Sequence, residues 1–157
     1  CLPTLLAAAG EPEITEKLLK GHQAGDKNFK VHLDGHNFLP YLTGNEEAGP
    51  RTKFFAFVDD GTLGAVRYKD YKFHFSTQNH HGMDVWMHPQ EVRKGPLLID
   101  LRADPFETAP EESSYYDDWV NRRMYVMVPL KDLVGNFMAT FKEFPPRQEG
   151  GSFTPKQ

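Results

Sequence analysis

FFAFVDDGTLGAVRYKDYKFHFS, residues 54 to 76, is the stretch that decides the fold of this 157-residue chain. It contains three short runs of alternating apolar residues, one after another. Asp59-Asp60-Gly61 separates the first run from the second, and Tyr68-Lys69-Asp70 separates the second from the third. Because Asp and Gly favour tight turns, the stretch predicts three antiparallel strands joined by short loops.

The third run divides its side chains between the two faces of the predicted sheet: Tyr71, Phe73 and Phe75 on one, Lys72, His74 and Ser76 on the other. Successive side chains of a strand point to opposite faces, so this alternation is typical of a sheet with one buried and one solvated face. On this interpretation His74 is an outward sheet residue rather than a general base.

A helix near the other end of the chain is the predicted cover for the apolar face. Its apolar residues recur at helical spacing: Leu130, Leu133, Val134, Phe137, Met138 and Phe141. Leu97–Leu101 is strongly apolar and predicts a fourth strand. The sequence therefore predicts an α+β fold, an antiparallel sheet of about four strands packed by a C-terminal helix. The segment after Arg147 has no periodic pattern and is interpreted as a surface segment.

Shorter segments complete the predicted organisation. Leu2–Ala9 and Glu13–Lys20 have helical patterns, and each is followed by a glycine that suits a helix end. His22–Lys30 is interpreted as a polar link. Val31–Leu33 and Val85–Met87 are short apolar runs, and both predict strands.

Charge and hydropathy exclude two classes of partner. The chain has 18 Lys and Arg residues against 22 Asp and Glu residues, a net charge of -4, and no basic cluster. Binding to nucleic acid or to an anionic membrane requires a concentration of positive charge, so neither partner is expected. No apolar run approaches the ~20 residues of a membrane helix. The length suffices for one ordinary domain with its own core.

Histidines provide the first candidate for chemistry. His80, His81 and His88 lie in one region with Asp84 nearby, and neutral imidazole is a common ligand of zinc or copper. Their spacing matches no established ligand pattern, which favours solvated loop histidines. Asp59-Asp60 precedes a glycine and is better explained as a turn than as a pair of catalytic carboxylates. The residues alone therefore show no catalytic set.

Collinear blocks along the chain resemble the C-terminal portion of a bacterial arylsulfatase of the formylglycine-dependent sulfatase family. They are LPTLLAAAGEP (Leu2–Pro12), DGHNFLPYLTG (Asp34–Gly44), AVRYKDYKFHF (Ala65–Phe75), LLIDLRADPFE (Leu97–Glu107) and VGNFMATFKEFPPRQEGGSF (Val134–Phe153). Each block is short, but together and in this order they are specific. On this resemblance, residues 1–50 are the tail end of the α/β catalytic domain, a remnant at the N-terminus, and residues 51–157 form the C-terminal α+β subdomain.

The resemblance implies a parent enzyme with an alkaline-phosphatase-like domain that hydrolyses a sulfate-ester substrate. Its chemistry uses a formylglycine and a calcium ion, and the family motifs that hold them lie upstream of Leu2. No catalytic or metal-binding residue is therefore expected in this chain, which is predicted to be inactive alone and to pack on a missing N-terminal catalytic domain. Cys1 and Pro3 match the outline of the formylglycine motif, but Leu5 stands where that motif has Arg. Such sulfatases are often exported, which favours a periplasmic or secreted parent.

Loops of the subdomain would frame the substrate entrance of such a parent, and His80, His81 and Trp86 are the expected entrance residues. Two other interpretations stay open: an independently folded, non-catalytic binding or interaction module, and a metalloprotein built on the histidine loop. The leucines of the first helix discriminate between fragment and module. Leu2, Leu5 and Leu6 should be uncovered in a fragment and buried in a module.

Overall fold

The structure is a computed structural model that describes residues 1–146. These residues fall into two compact units, residues 1–52 and residues 53–146. The interpretation of the segment after Arg147 lies outside the described residues. Within residues 1–146, no helix combines the length and the apolar character needed to cross a membrane.

The first unit consists of short elements: α1, Leu2–Ala8; α2, Ile14–Lys20; β1, His22–Ala24; β2, Lys27–Phe29; and α3, Leu39–Leu42. Pro3 lies in the first turn of α1, where its missing N–H leaves no helical hydrogen bond unmade. Gly25 connects β1 to β2 with φ of 60°, a conformation that glycine adopts without strain. Thr4 joins α1 to the start of α3, because its hydroxyl donates to the His36 carbonyl and accepts from the Phe38 N–H.

Both predicted N-terminal helices are confirmed, but the prediction of a strand at Val31–Leu33 is wrong. The Val31 N–H donates instead to the Leu18 carbonyl at the end of α2. The β1–β2 hairpin occupies the segment interpreted as a polar link. Strands of three residues are too short to show an alternating pattern, so periodicity could not reveal them.

The second unit, within residues 53–146, consists of β3, Lys53–Phe57; β4, Leu63–Tyr68; β5, Tyr71–Thr77; α4, Asp84–Met87; β6, Glu91–Asp100; α5, Ala109–Glu112; α6, Tyr116–Asn121; and α7, Met127–Ala139. Two 3-10 turns, Met124–Val126 and Thr140–Lys142, flank α7. The four strands form one antiparallel sheet in the order β3-β4-β5-β6. The predicted α+β fold is confirmed, with the meander at its centre.

The core lies between one face of this sheet and the C-terminal helices. Val66 and Leu98 are completely buried, and Phe73 and Leu130 nearly so. α7 supplies Leu130, as the apolar stripe predicts, and its Phe137 ring stacks on Phe55 of β3 with 3.8 Å between centroids. Burial of this apolar surface is the main stabilising term of the unit. We call the sheet face that carries Val66, Phe73 and Leu98 the helix face, and the opposite one the second face.

Tyr116 of α6 fixes that helix to the sheet by hydrogen bonds as well as by packing. Its hydroxyl donates to the Leu98 carbonyl at 3.1 Å and accepts from the Leu98 N–H at 3.2 Å. Burial raises the pKa of the Tyr116 hydroxyl, which therefore stays protonated and can serve as a donor.

One detail of the second unit differs from the sequence prediction. The prediction of a strand at Val85–Met87 is wrong, because this segment forms the single helical turn α4. The Gln78 side-chain amide donates to the carbonyls of Val85 and His88, and so holds both ends of the turn. Helix α7 begins at Met127, and Pro129 lies in its first turn, where a proline breaks no helical hydrogen bond.

Candidate functional site

The second face is formed by cross-strand rows of side chains. One row runs Phe54, Arg67, Lys72 and Ile99, and the next runs Ala56, Ala65, His74 and Leu97. Cross-strand partners project from the same face of a sheet, so the cations of β4 and β5 lie beside small or apolar side chains. The second face therefore carries three basic side chains, Arg67, Lys72 and His74, beside small and apolar ones.

The loop after β6 returns across this face. The Asp100 carboxylate accepts from the N–H groups of Arg102 and Ala103, which turns the chain away from the strand. The Asp104 carboxylate then accepts from the N–H groups of Thr108 and Ala109 at the start of α5. Each carboxylate satisfies backbone donors that no regular structure satisfies at these positions.

Glu107 is the residue of this loop that contacts the sheet. Its Oε1 accepts from Lys72 Nζ at 2.6 Å, and its Oε2 lies 2.5 Å from His74 Nε2. The side chains of Lys72, His74 and Glu107 are 27%, 21% and 27% exposed. Glu107 adopts a positive φ of 60°, which is uncommon for a residue with a side chain. We call these three side chains the Glu107 cluster.

The pKa of the Glu107 carboxyl depends on its burial and on its two hydrogen-bond partners. Partial burial by itself raises the pKa of the Glu107 carboxyl, but the hydrogen bonds and charges of Lys72 and His74 lower it further than burial raises it. The net pKa lies below the usual value of 4.5, so Glu107 is ionised at neutral pH. An ionised carboxylate can only accept hydrogen bonds, so His74 Nε2 carries the proton that is shared with it.

The hydrogen bond at Nε2 fixes the orientation of the His74 imidazole. Nδ1 is the ring nitrogen that the cluster does not use. Among the described residues, no hydroxyl or thiol is hydrogen-bonded to His74 Nδ1. Within the described residues, the cluster is an ion-paired contact between β5 and the loop that follows β6.

A depression of about 400 Å³ extends from the cluster toward the loop between β5 and β6. Ala65, Leu97 and Ile99 form part of its apolar lining, and polar side chains close its far end. One of these, Ser76, is almost completely buried and donates its hydroxyl hydrogen to Gln90 Oε1 at 2.6 Å. We call this space the polar depression.

The residues expected at a substrate entrance lie beyond the polar depression, in the β5–β6 loop. The rings of His80 and His88 stack with their centroids 3.9 Å apart, and the His80 N–H donates to Gln78 Oε1. His81 is exposed, and its carbonyl accepts from the Asp84 N–H at the start of α4. Trp86 is 69% exposed. The structure thus brings two histidines together and leaves Trp86 on the surface.

Sequence reasoning missed the Glu107 cluster. Alternation placed Lys72 and His74 on one face, but they were interpreted as solvated residues. The sequence signal that could have revealed the cluster is Glu107, a carboxylate in the turn after β6, the strand that pairs with β5. Glu107 is 35 residues from Lys72 and 33 from His74, and no local pattern connects them.

The described residues do not form a site that fits a metal ion. Within residues 1–146, no three or more His, Cys, Asp or Glu side chains are grouped so that they could hold one. The stacked rings of His80 and His88 face one another instead of converging on a common point. Calcium prefers six to eight oxygen ligands, carboxylates prominent among them, and no three or more carboxylates are grouped among these residues.

Comparison with known proteins gives one family. The model described as the C-terminal region of aryl-sulfatase matches residues 35–154. The match includes the whole four-stranded sheet, the loop that carries Glu107, and helix α7. No curated protein matches the chain.

Proposed function

Because the chain belongs to the family of aryl-sulfatase C-terminal regions, we propose that it is the C-terminal subdomain of a sulfuric ester hydrolase and is inactive alone. The match over residues 35–154 carries this proposal. In it, the chain contributes scaffold and substrate-entrance loops. A catalytic domain upstream supplies the formylglycine and the calcium ion, whose ligands the described residues do not provide.

The N-terminal elements support packing on such a domain. Leu2 and Leu5 of α1 are exposed, Leu5 by 67%, whereas Leu6 is half-buried. Leu42 of α3 is exposed to a degree similar to that of Leu5. Adjoining apolar side chains at a surface are typical of an interface. In this proposal, residues 1–50 are the tail end of the catalytic domain and residues 51–157 are the subdomain.

The alternative is an independently folded binding module. The core of the second unit, centred on Val66 and Leu98, supports it, because a domain with its own core can fold by itself. Exposure of Leu2 and Leu5 supports the fragment instead, since an independent module gains by burying them.

Hydrolysis of an aryl sulfate tests the proposal. We expect no turnover by the purified chain with added calcium, and turnover when the chain is expressed in one polypeptide with the catalytic region encoded upstream in its reading frame. In that polypeptide Leu5→Asp should lower the yield of active enzyme, because it places a charge in the interface. Val92→Asp, at another exposed apolar position, is the matched control. Turnover by the isolated chain would refute the proposal.

Trp86 is the entrance residue whose role can be measured most directly. It projects from α4 next to Met83 and Met87, both strongly exposed, and these side chains offer apolar surface to an aryl group. In the complete enzyme we expect Trp86→Ala to raise KM several-fold with little change in kcat. His80→Ala and His81→Ala should change KM less. Tyr125→Ala, at an exposed aromatic residue outside this loop, serves as the control.

A further inference from the structure

The first row of the second face places two cations side by side. Arg67 of β4 and Lys72 of β5 are direct cross-strand partners. Like charges in such positions repel and weaken strand pairing. The ion pair between Lys72 and Glu107 offsets part of this repulsion, and a bound anion would offset more of it.

Among the described residues, the carboxylate that lines this region already has two partners, one of them in the pair. Glu107 uses both oxygens on Lys72 and His74. Arg67 donates its Nε–H to the Lys69 carbonyl at 2.9 Å, which fixes the direction of the guanidinium. Within residues 1–146, its Nη groups have no hydrogen-bond partner. Lys72 has three donor hydrogens and uses one on Glu107, so donors remain available on both cations.

A hollow of about 510 Å³ lies at this pair, and we call it the cationic hollow. It is lined by Phe54, Ala56, Ala65, Arg67, Lys72, Leu101, Pro105 and Glu107. Its charged lining consists of two cations and one carboxylate, which leaves one positive charge in excess. The rest of the lining is apolar, with small alanines at the floor and Phe54, 51% exposed, at the side. Recognition sites for organic ligands combine such apolar walls with a few fixed polar groups.

We propose that the cationic hollow binds an organic anion, an apolar or aromatic body that carries one sulfate or carboxylate group. The anionic group lies between Arg67 and Lys72, where the guanidinium provides paired donors and the ammonium a point charge. The apolar body lies over Ala56 and Ala65 and against Phe54. The site depends only on residues of this chain, whatever reaction the parent enzyme performs.

The charge of Glu107 allows an effect on binding to be separated from damage to the fold. Its carboxylate lies on the edge of the hollow and repels an anionic ligand, while it also competes for Lys72. Removing its charge should therefore strengthen binding, although the same change weakens the fastening of the loop. A substitution that only damaged the fold would have the opposite effect on binding.

The experiment uses the complete 157-residue chain and NMR titration, observed at the backbone amides and at Arg67 Nε–H. The probes are 4-nitrophenyl sulfate and 4-nitrobenzoate, with neutral 4-nitrobenzyl alcohol and inorganic sulfate as controls. We expect the aromatic anions to shift the signals of Phe54, Arg67 and Lys72 in a saturable way. The two anionic probes distinguish a sulfate ester from a carboxylic acid as the preferred ligand.

Charge variants complete the test. Arg67→Gln should raise Kd about threefold to fivefold, the range of a surface charge pair, and Glu107→Gln should lower Kd by a similar factor. Lys94→Gln removes an exposed cation of β6 outside the hollow and should leave Kd unchanged. If inorganic sulfate bound as tightly as the aromatic anions, the apolar lining would contribute nothing and the proposal would fail. If the neutral alcohol bound as tightly as the aromatic anions, Arg67 and Lys72 would contribute nothing and the proposal would also fail. Weaker binding by Glu107→Gln, or no binding of either aromatic anion, would overturn the proposal.

Discussion

Replacement of Glu107 by glutamine tests whether the Glu107 cluster fastens the loop to the sheet. Glutamine keeps an oxygen that can accept from Lys72, but its amide nitrogen cannot accept the hydrogen on His74 Nε2. The variant loses one charge-assisted hydrogen bond and the ion pair with Lys72. A hydrogen bond to a charged group contributes about 1.5–3 kcal/mol, and the cluster is about a quarter exposed. We therefore expect a loss of about 1–2 kcal/mol in the free energy of unfolding at pH 7.

The loss should depend on pH in a defined direction. Because the folded-state pKa of Glu107 lies below 4.5, the stabilisation is present above pH 4.5 and disappears as the pH falls through the folded-state pKa. The stability curves of the wild type and Glu107→Gln should therefore converge on acidification. At acid pH the wild-type carboxyl is protonated and resembles the glutamine.

Urea denaturation, followed by tryptophan fluorescence and far-UV circular dichroism at several pH values, measures both effects. Glu111→Gln is the matched control, because Glu111 lies in α5 beside the polar depression and is exposed. We expect that control to follow the wild type. A difference below about 0.3 kcal/mol at pH 7 for Glu107→Gln, or one that stays constant with pH, would refute the fastening role.

Three further predictions concern stability, each with calorimetry as the measurement. Leu98→Ala should cost about 2–5 kcal/mol because it empties a fully buried position, whereas Val92→Ala, on an exposed part of the same strand, should cost almost nothing. Tyr116→Phe should cost about 1–2 kcal/mol because it removes both hydrogen bonds to Leu98, and Tyr115→Phe, at an exposed neighbour, should be neutral. Gly135→Ala should stabilise the protein by up to about 1 kcal/mol, because a Cβ there meets no atom and α7 gains a better helix former. Equal effects in either matched pair, or a destabilised Gly135→Ala, would contradict the packing described above.

The elements that the sequence predicted well are those defined over many consecutive residues. Alternation in β5 and the turns around Gly61 and Lys69 predicted the meander, and the apolar stripe of α7 predicted which helix packs on it. The misread elements are short. Val85–Met87 has three apolar residues and no period, and its helical turn is held by Gln78 from outside the segment. The β1–β2 hairpin of the first unit was missed because its strands of three residues are also too short to show a period.

For the candidate sites, sequence reasoning likewise found residues that are close together in the chain and missed a contact between distant ones. Trp86 and the loop histidines attracted attention because they are close together in sequence, and His80 and His88 do meet. Glu107 meets Lys72 and His74 only because β6 pairs with β5 and the following loop returns across the second face. Arg67 and Lys72, in contrast, flank the predicted turn at Lys69, and their pairing follows from the register that this turn sets.

By itself, the sequence determined the α+β class, the three-stranded meander, the covering helix and the resemblance to the arylsulfatase C-terminal region. These depend on local conformational preference and on the periodic burial of apolar side chains. Only the tertiary structure decided that Glu107 meets Lys72 and His74. Contacts between residues more than thirty positions apart arise from strand register and loop direction, and these are set by the packing of the whole unit.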